Sequence, residues 1–550
     1  MDNKLKILFV SFGSKWHNDV WNILSIETLL GDVNGCFKDQ LASDTVRFFE
    51  KKDISNFIKN RDINLFDIIA FGLDIGSDVL FYFFLEELKS FPYKGDLVCG
   101  GTLSTYAYDY MVKKDVVSYN KPIFVIGEGE IALRAIINCK LNQNAYFSLP
   151  NTYQYDLKTN AYVLNQADLV DLNELIYPPC SINNIPDSHI RIIQASRNCV
   201  FNCTYCSQGP KNMWRSFSME RIRENIDNLM REGVYEFEFV DDEYFGGTSN
   251  KNIDRAWEIA NIISALVQKH GKSIRFRIFT NPHIISSENK GTHGINFLQL
   301  LERLKGLGLT RVYLGIESGS EAQRKRYNRK DTINECIASI KLLDSLNIAV
   351  DAGFIMFDPE VTIQDILENI KFISENNILK YNTWPLRPII LTAKTPMFHR
   401  AEKLGLIVKR NEVNIASFDY IFSDERVRII YRGVDDIANC SAKVFYILKY
   451  FYKENFYTES RRDELNIINS YLIKNAEVNF NYIKDMIVEL ESSGSIYNST
   501  KSVLQQIYDL ITSIEKNISI FDLFNYPVGN LTGSIMDTKK NLEDLGAQIK

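Results

Sequence analysis

Several features that would place this chain in a specialised class are scarce or missing. Nine cysteines in 550 residues are too few and too uneven for a secreted disulfide scaffold. No apolar stretch approaches the about twenty residues of a membrane span. The apolar run near the start, residues 7–10, is too short for a secretory signal. We therefore expect a cytoplasmic protein without a membrane span, in which clustered cysteines point to metal or redox chemistry.

An excess of positive charge is also missing. Lys and Arg total 63 against 69 Asp and Glu, a net charge of −6. This balance provides no chain-wide surface for neutralising phosphates, which disfavours a nucleic-acid partner. The 45% hydrophobic and 24% charged residues are ordinary for a globular protein. At roughly 150 residues per domain, the length suggests three or four domains.

The first 145 residues alternate short apolar runs with amphipathic segments. Strands are predicted at 6–11, 67–72, 96–101 and 123–127, and helices at 78–90 and 130–138. Each apolar run is continuous and ends at Gly or Ser, as in strands covered on both faces. This pattern predicts a doubly wound α/β domain over residues 1–145. Its ligand site is expected beyond the carboxyl ends of the strands.

The rest of the chain is predicted to contain a linker, a barrel and a helical region. Residues 146–188 are rich in Pro, Asn and Asp, so we interpret them as a linker. Residues 189–400 return to strand–helix alternation, with strands predicted at 190–195, 236–240, 273–279, 311–316, 350–356 and 384–390. Six such units predict a full or partial parallel barrel with its site at the carboxyl ends of the strands. Residues 401–550 are predicted to form a mainly helical domain.

The strongest chemical signal is a cysteine cluster that follows the first barrel strand. Cys199, Cys203 and Cys206 are spaced C-x₃-C-x₂-C. Three thiolates can hold a [4Fe–4S] cluster and leave one iron open to a ligand. A zinc site needs a fourth ligand at short spacing, but His189 and Cys180 lie ten and nineteen residues upstream of Cys199. Inert buried cysteines are the third alternative, which the polar neighbours disfavour. The pattern therefore favours an iron–sulfur site.

With Tyr205 directly before the last cysteine, this motif resembles the signature of the radical S-adenosylmethionine (radical SAM) enzymes. The resemblance implies a [4Fe–4S] cluster on Cys199, Cys203 and Cys206, whose open iron chelates the methionine part of S-adenosylmethionine. One electron then cleaves the sulfonium and produces a 5′-deoxyadenosyl radical. The resemblance also implies an electron donor such as flavodoxin or ferredoxin.

Other barrel positions agree with this resemblance. Three adjacent acids, Asp241, Asp242 and Glu243, follow a predicted strand. The resemblance implies that such acids meet the ammonium of S-adenosylmethionine, and a solvated strand end is the alternative. Glu317 and Ser318 end a strand that resembles the family's "GIES" strand, which implies that they contact the bound cofactor or its surroundings.

Two further positions are compared with the family pattern. Lys330, in Asn-Arg-Lys, matches a basic position that commonly follows the "GIES" strand, although surface exposure explains these charges equally well. Asp358 stands where the family usually has a glycine before Pro359. The backbone is less free without that glycine, so we assign no adenine contact there.

The N-terminal domain has two glycine-containing turns after predicted strands. These candidate cofactor-binding residues are Gly100, Gly101, Thr102 and Thr105 after one strand, and Gly127, Glu128 and Gly129 after the next. Taken singly, such turns are compatible with ordinary tight turns. Their order before the cysteine motif resembles the cobalamin-binding class of radical SAM enzymes over roughly residues 5–400. The resemblance implies a Rossmann-like cobalamin-binding-type domain.

The usual Asp-x-His-x-x-Gly cobalt-ligand loop is missing from this domain. His17 is a candidate ligand, but a polar loop residue is the favoured interpretation. The absence does not exclude cobalamin, because the radical class often dispenses with that histidine. A domain that kept the fold and lost the cofactor is the alternative.

The resemblance predicts an enzyme that uses a [4Fe–4S] cluster, S-adenosylmethionine and cobalamin. The expected reaction is methylation of an unactivated carbon of a small-molecule or peptide natural-product intermediate. A cyclisation, rearrangement or carbon–carbon bond-forming reaction with the same domains is the alternative. A non-catalytic metal-sensing or binding protein is a third hypothesis, from a different class.

Overall fold

The computed structural model describes residues 4–13, 23–74, 76–91, 93–146, 148–166, 168–175, 190–207, 213–381, 385–408, 417–455, 461–520 and 528–548. His17 lies outside these residues. No helix in the described ranges is both long and apolar enough to cross a bilayer.

The N-terminal part forms a seven-stranded sheet, in the order β2-β1-β3-β4-β5-β6-β7. Its strands are β1 (Leu5–Phe12), β2 (Leu41–Phe48), β3 (Ile68–Gly72), β4 (Asp96–Gly100), β5 (Ile123–Val125), β6 (Thr152–Asp156) and β7 (Ala161–Leu164). Its helices are α1 (Ile23–Phe37), α2 (Lys51–Asn60), α3 (Asp78–Ser90), α4 (Thr102–Met111), α5 (Asp115–Asn120) and α6 (Glu130–Leu141). β1 to β5 are parallel, and β6 and β7 pair antiparallel.

Alternating residues of the central strands belong to two hydrophobic cores, one on each face of this sheet. Ile7 and Phe9 of β1 pack with residues of α1 and α6. Leu8 and Val10 pack on the opposite side with residues of α2, α3 and α4. A parallel sheet covered on both faces requires such apolar strands, and the predicted doubly wound arrangement is confirmed.

The first part of the predicted linker differs from the expectation. Within residues 146–188, β6 and β7 form a hairpin that extends the first sheet from β5. The sequence prediction missed it because Pro, Asn and Asp elsewhere in the segment outweighed the Tyr, Thr and Val of these two short strands. Residues 176–189 of this segment lie outside the described ranges, and the division of the chain into domains stays a prediction.

A second sheet forms the wall of a partial barrel, with its parallel strands in the order β14-β13-β12-β11-β8. The strands are β8 (Arg191–Ile193), β11 (Glu236–Phe239), β12 (Arg275–Thr280), β13 (Leu309–Glu317) and β14 (Ala349–Phe354). At the predicted sixth strand, 384–390, the described residues contain only a parallel bridge between Phe357 and Pro388. Short ribbons join β9 (Ser196–Arg197) to β10 (Arg215–Ser216) and β15 (Leu391–Thr392) to β16 (Ser417–Phe418).

Helices cover the outside of this wall and continue into the C-terminal part. The barrel helices are α7 (Met219–Arg231), α8 (Asn250–His270), α9 (Pro282–Ile285), α10 (Phe297–Gly306), α11 (Glu321–Arg326), α12 (Ile333–Ser345), α13 (Ile363–Glu375) and α14 (Pro396–Lys403). Four more follow: α15 (Glu425–Asn455), α16 (Arg462–Ser493), α17 (Tyr497–Lys516) and α18 (Val528–Gln548). A single hydrophobic core runs from the barrel into these last helices. The mainly helical C-terminal part is therefore confirmed.

Candidate functional site

The three cysteines lie on a loop, residues 199–206, that begins just past the carboxyl end of β8. We call this segment the cysteine loop. Asn198 precedes it with a φ of +65°, a left-handed conformation that Asn tolerates better than most residues. Cys203 is buried, and Cys199 and Cys206 are half-buried. The carboxyl ends of barrel strands are where such folds place their chemistry.

The protein surroundings of the thiols are partly apolar and include one close cation. Burial and the charge of Glu243 are the main causes that raise the pKa of Cys199 to about 12, and the N–H of Phe201, 3.5 Å from its Sγ, opposes them. Burial also raises the pKa of Cys203, and the guanidinium of Arg329, whose Nη1 lies 3.8 Å from Cys203 Sγ, opposes that increase. Thiolates at these positions need a compensating positive charge, which a metal centre supplies.

The donor set fits an iron–sulfur cluster. Within the described ranges, no three His, Cys, Asp or Glu side chains come close enough to hold a single metal ion. A [4Fe–4S] cluster has a different requirement, because each thiolate binds a different iron. The chemistry of three cysteines on one short loop matches that requirement.

Hydrogen bonds fasten the middle of the cysteine loop to the segment after β13. The N–H of Thr204 donates to the carbonyl of Tyr327 at 3.0 Å, and its hydroxyl donates to the carbonyl of Arg326 at 2.8 Å. The amide of Asn328 donates to the carbonyl of Asn202 at 2.9 Å. The position of the loop therefore depends on the segment that follows the "GIES" strand.

Tyr205 and Glu317 meet beside the cysteine loop. The Tyr205 hydroxyl donates to the Glu317 carboxylate, whose pKa is raised by burial and lowered by Arg329. Glu317 has a φ of +69°, and its Oε1 fills the space that side chains at Gly315 and Gly353 would need. Both glycines thus make room for this carboxylate.

Arg329 is a site residue that the sequence analysis missed. Its Nη1 lies 3.3 Å from the Tyr205 hydroxyl and 3.8 Å from Cys203 Sγ, and its Nη2 lies 2.8 Å from Asp331. The neighbouring Lys330, which was the candidate, is exposed. Asn328 has a φ of +55°, so the chain turns just before these residues. Because the chain turns here, the Arg329 side chain faces the site and the Lys330 side chain is exposed. The sequence gives no clear signal of this difference.

The three adjacent acids occupy different environments. Asp241 is buried and accepts hydrogen bonds from Ser196 and the N–H of Ala195, and burial raises its pKa to about 6. Glu243 is also buried, and burial raises its pKa to about 8 although it accepts from Thr280 and two backbone N–H groups.

Asp242 differs from its two neighbours because it is only half-buried. Its charge adds to the burial that raises the pKa of Tyr106, and it also raises the pKa of Cys199. Of the three predicted acids, Asp242 is the best placed to reach a ligand at the cysteine loop.

Ser318 and Asp358 lie in a buried polar network. Ser318 is buried, and its hydroxyl contacts Gln323 Oε1 at 2.6 Å and Asn369 Oδ1 at 2.9 Å. Asp358 accepts from Gln323 Nε2 at 2.8 Å and from the Tyr327 hydroxyl at 3.0 Å. The carboxylate at position 358 therefore supports the loop after β13, which gives this departure from the family pattern a structural reason.

The two glycine turns of the N-terminal sheet lie side by side. The first (residues 100–102) follows β4, and the second (residues 127–129) follows β5. Thr105 joins them, since its hydroxyl donates to the carbonyl of Gly101 and accepts from the N–H of Gly127, both at 3.0 Å. Gly101 and Gly127 have positive φ, and Gly127 has open space where a side chain would lie. A ligand can thus approach the backbone of the second turn.

The predicted cofactor residue Glu128 makes contacts that sequence reasoning did not anticipate. Its carboxylate binds the guanidinium of Arg215 and accepts from the N–H of Val170 at 3.1 Å. Arg197, two residues before Cys199, lies 3.5 Å from the same carboxylate. Glu128 therefore links the second glycine turn to the barrel.

A second link lies at the other end of the cysteine loop. The hydroxyl of Tyr106, in α4, donates to the carbonyl of Ser207. Burial raises the pKa of Tyr106 to about 12, and Cys206 and Asp242 add to this shift. Tyr106 thus lies close to both the last cysteine and the half-buried acid.

Comparisons with known proteins agree with this site. Residues 193–373 match the radical SAM superfamily, so this part of the chain is a radical SAM domain. Enzymes of this superfamily use a [4Fe–4S] cluster and S-adenosylmethionine, and these are the cofactors of the domain.

Solved structures share the fold of nearly the whole chain. The structure of OxsB with aqua-cobalamin and S-adenosylmethionine bound is similar over 98% of this chain and 84% of that chain, with a TM-score of 0.79 and 17% identity. The radical SAM methyltransferase TsrM from Kitasatospora setae is similar over 74% of this chain and 79% of that chain, with a TM-score of 0.53 and 11% identity.

Two curated relatives have similar sequences. The 4′-phospho-dehydrooxetanocin synthase of Priestia megaterium is 27% identical over 344 residues, which are 59% of this chain and 45% of that protein. An uncharacterised methyltransferase of Pyrococcus horikoshii is 27% identical over 360 residues, which are 58% of this chain and 71% of that protein. The match thus spans less than half the length of the Priestia protein.

Proposed function

We propose that this protein is a cobalamin-dependent radical SAM enzyme that methylates an unactivated carbon of a small-molecule or peptide intermediate. The observation that carries the proposal is the contact between the glycine turns and the cysteine loop. Thr105 joins the two turns, and its neighbour Tyr106 contacts Ser207, which follows the last cysteine. A cobalamin at the turns would therefore lie next to the radical-forming site.

The proposed roles divide among three groups of residues. Cys199, Cys203 and Cys206 hold the cluster, which supplies the electron that cleaves S-adenosylmethionine to a 5′-deoxyadenosyl radical. We assign Asp242 and the pair Tyr205–Glu317 to the binding of S-adenosylmethionine. Their carboxylates suit its ammonium, and the guanidinium of Arg329 opposes the increase that burial causes in the pKa of Glu317.

Cobalamin binding is assigned to the backbone of the glycine turns. The proposed contacts come from the first turn with Thr105 and from the second turn, at residues Gly100, Gly101, Thr102, Thr105, Gly127 and Gly129. Open space beside Gly127 supports this assignment. We assign Glu128 a supporting role, because its carboxylate already has partners within the protein.

The proposed reaction balances as follows. One S-adenosylmethionine takes the substrate hydrogen as 5′-deoxyadenosine and leaves methionine, and a second donates its methyl group and leaves S-adenosylhomocysteine. Two electrons come from a low-potential donor, for which a flavodoxin or ferredoxin is the proposed class. The protein orients the reactants and excludes water.

The first test needs no substrate. Wild-type protein is reconstituted anaerobically with iron, sulfide and hydroxocobalamin, desalted, and incubated with S-adenosylmethionine and dithionite. We expect bound iron, sulfide and cobalamin, and release of 5′-deoxyadenosine. Cys203→Ala should lose the cluster and the cleavage, while Cys36→Ala, at an exposed cysteine, should keep both. Reconstituted wild type without cobalamin or without cleavage would contradict the proposal.

The second test distinguishes methylation from its alternative. With a substrate, methylation increases the product mass by one methylene group and consumes two S-adenosylmethionine per product. A radical rearrangement changes the mass only by hydrogens and forms no S-adenosylhomocysteine.

A further inference from the structure

We propose that four charged side chains form an interdomain clasp that fixes the cysteine loop against the second glycine turn. The clasp consists of Glu128 of the second glycine turn and Glu130 of α6, together with Arg197 and Arg215 of the β9–β10 ribbon. These are positioning residues, since they act through the loop that they hold. Only the consequence for catalysis rests on the proposed function.

The acidic half of the clasp belongs to the turn that enters α6. Glu128 lies within the second glycine turn, and Glu130 is the first residue of α6. Their side chains are only 12% and 4% exposed. Buried carboxylates are costly unless they are paired, so this turn requires cations from another part of the molecule.

The basic half comes from the ribbon that frames the cysteine loop. Arg197 of β9 pairs directly with Arg215 of β10 across the ribbon. Arg197 donates to Glu130 at 2.7 Å and lies 3.5 Å from Glu128. Arg215 binds Glu128 through both terminal nitrogens. The two guanidinium groups thus bring the ribbon and the turn together.

Arg215 also contacts the residue that directly precedes the first cysteine. Its Nη2 donates to Oδ1 of Asn198 at 2.8 Å. Asn198 has a positive φ and is followed directly by Cys199. The path from Glu128 through Arg215 to Asn198 therefore connects the second glycine turn to the backbone that presents a cluster ligand.

The opposite end of the cysteine loop is held by the same N-terminal unit. Tyr106 donates to the carbonyl of Ser207, and its neighbour Thr105 accepts from the N–H of Gly127. Both ends of the loop thus depend on one pair of turns. The segment after β13 holds the middle of the loop through Thr204 and Asn202, so loss of the clasp should free mainly the residues around Cys199.

The consequence for catalysis follows if cobalamin occupies the glycine turns. The clasp then sets the distance between the two cofactor sites. Loss of the clasp should leave the three cysteine ligands in place but increase the range of cluster environments. Cleavage of S-adenosylmethionine should therefore become less tightly coupled to modification of substrate.

The experiment compares Glu128→Gln with Glu224→Gln in the full-length protein. Glu224 also pairs with an arginine, but its side chain is 61% exposed, and exposed pairs contribute little. Hydrogen exchange is measured by mass spectrometry on peptides covering residues 196–206 and 125–131. We expect Glu128→Gln to accelerate exchange in both peptides by at least about tenfold, because a buried ion pair loses one partner. Glu224→Gln should change neither peptide.

A spectroscopic readout separates positioning from general stability. Reconstituted protein is reduced with dithionite and examined by electron paramagnetic resonance before and after addition of S-adenosylmethionine. We expect one well-defined signal for wild type, and a broadened or split signal with unchanged iron content for Glu128→Gln. Arg215→Lys keeps the charge but loses the fork that holds two partners, so its spectrum should be intermediate.

The outcomes are decisive in both directions. Unchanged exchange over residues 196–206 in Glu128→Gln would overturn the clasp. If Glu128→Gln is insoluble, Arg215→Lys and Arg215→Gln are judged by the same exchange criterion. Additive effects in the double variant Glu128→Gln/Arg215→Gln would also overturn it, since partners in one contact are non-additive. A wild type that fails to cleave S-adenosylmethionine refutes the proposed function and leaves the exchange result standing.

Discussion

Replacing Gly101 with alanine gives a quantitative test of how the first glycine turn is built. Gly101 has a φ of +95°, and a Cβ there would lie 2.5 Å from the carbonyl oxygen of Leu73. That oxygen accepts a hydrogen bond from the N–H of Leu103 at 2.9 Å, so its displacement would disturb the start of α4. With a ψ of −173°, this conformation is almost confined to glycine and costs another residue about 1–3 kcal/mol, and the overlap adds about 1–3 kcal/mol. We expect Gly101→Ala to lower the free energy of unfolding of the N-terminal sheet by roughly 2–6 kcal/mol.

Two other glycines provide matched comparisons. Gly127 has a φ of +74° but no atom within 4 Å of its Cβ position. Gly127→Ala should therefore cost only the conformational part, about 1–2 kcal/mol. Gly533 lies within α18 and also has open space around it. Gly533→Ala should stabilise that helix by about 0.5–1 kcal/mol.

The assay is denaturant titration followed by hydrogen exchange of peptides from β3, β4 and α18. Local exchange is required because a chain with several folded units need not unfold in one step. Each variant is compared with wild type in the segment that contains the substitution. Gly533→Ala should be more stable than wild type, Gly127→Ala should be less stable, and Gly101→Ala should be the least stable. If Gly127→Ala destabilises its sheet as much as Gly101→Ala does, the steric argument is refuted.

Three further predictions concern the radical SAM domain. Cys203→Ala should abolish retention of iron and sulfide, and Cys36→Ala should not; equal iron content in both variants would contradict the assignment of the cluster ligands. Arg324→Met should lower the free energy of unfolding by about 3–5 kcal/mol, because Asp331 and the arginine are both buried and Arg324 also donates to three backbone carbonyls. A urea midpoint close to that of wild type would disprove this. Asp358→Gly restores the usual family residue and should lower the free energy of unfolding by about 2–4 kcal/mol, because two buried donors lose their acceptor. Thermal unfolding measures this change. A gain in stability would show that the buried network is dispensable.

The apolar strands were the most predictable part of the fold. β1, β3 and β4 are continuous apolar runs buried on both faces, and such runs are readable from sequence alone. β2 was not predicted, because this edge strand contains the polar segment Ala-Ser-Asp-Thr and exposes much of it. The sixth barrel strand was predicted from an apolar stretch that makes only a single bridge in the described residues. Whether such a segment forms a strand depends on the strands available to pair with it, and its apolar content alone does not determine this.

In the site, residues set by local spacing were easier to predict than residues brought in by the fold. The cysteine motif is compact, so its position on one loop at a strand end followed directly from the sequence. Arg329 was missed because its contacts with Cys203 and Tyr205 cross more than 120 residues of chain. Glu128 was assigned to a cofactor on the basis of its turn, whereas the structure gives it two arginine neighbours from the barrel. Charge alone did not reveal those partners.

Helix α15 has a consequence for how this chain can vary. It contains 31 residues, a length of about 46 Å at about 1.5 Å per residue. The ring of Tyr431 lies 5.3 Å from that of Phe357, just beyond the carboxyl end of β14. Tyr452, in the last turns of the helix, lies near Arg311 and Asp351, farther toward the amino ends of the strands. This helix, a single continuous rod, therefore contacts the barrel at two positions along its strands.

A change in the length of this rod would affect its far end most. One residue inserted between the two tyrosines would rotate Tyr452 by about 100° around the helix axis and move it about 1.5 Å along it. The aromatic ring would then leave its charged neighbours even if every apolar position were preserved. Viable variants of this stretch should therefore arise by substitution, with insertions and deletions confined to the connections between helices.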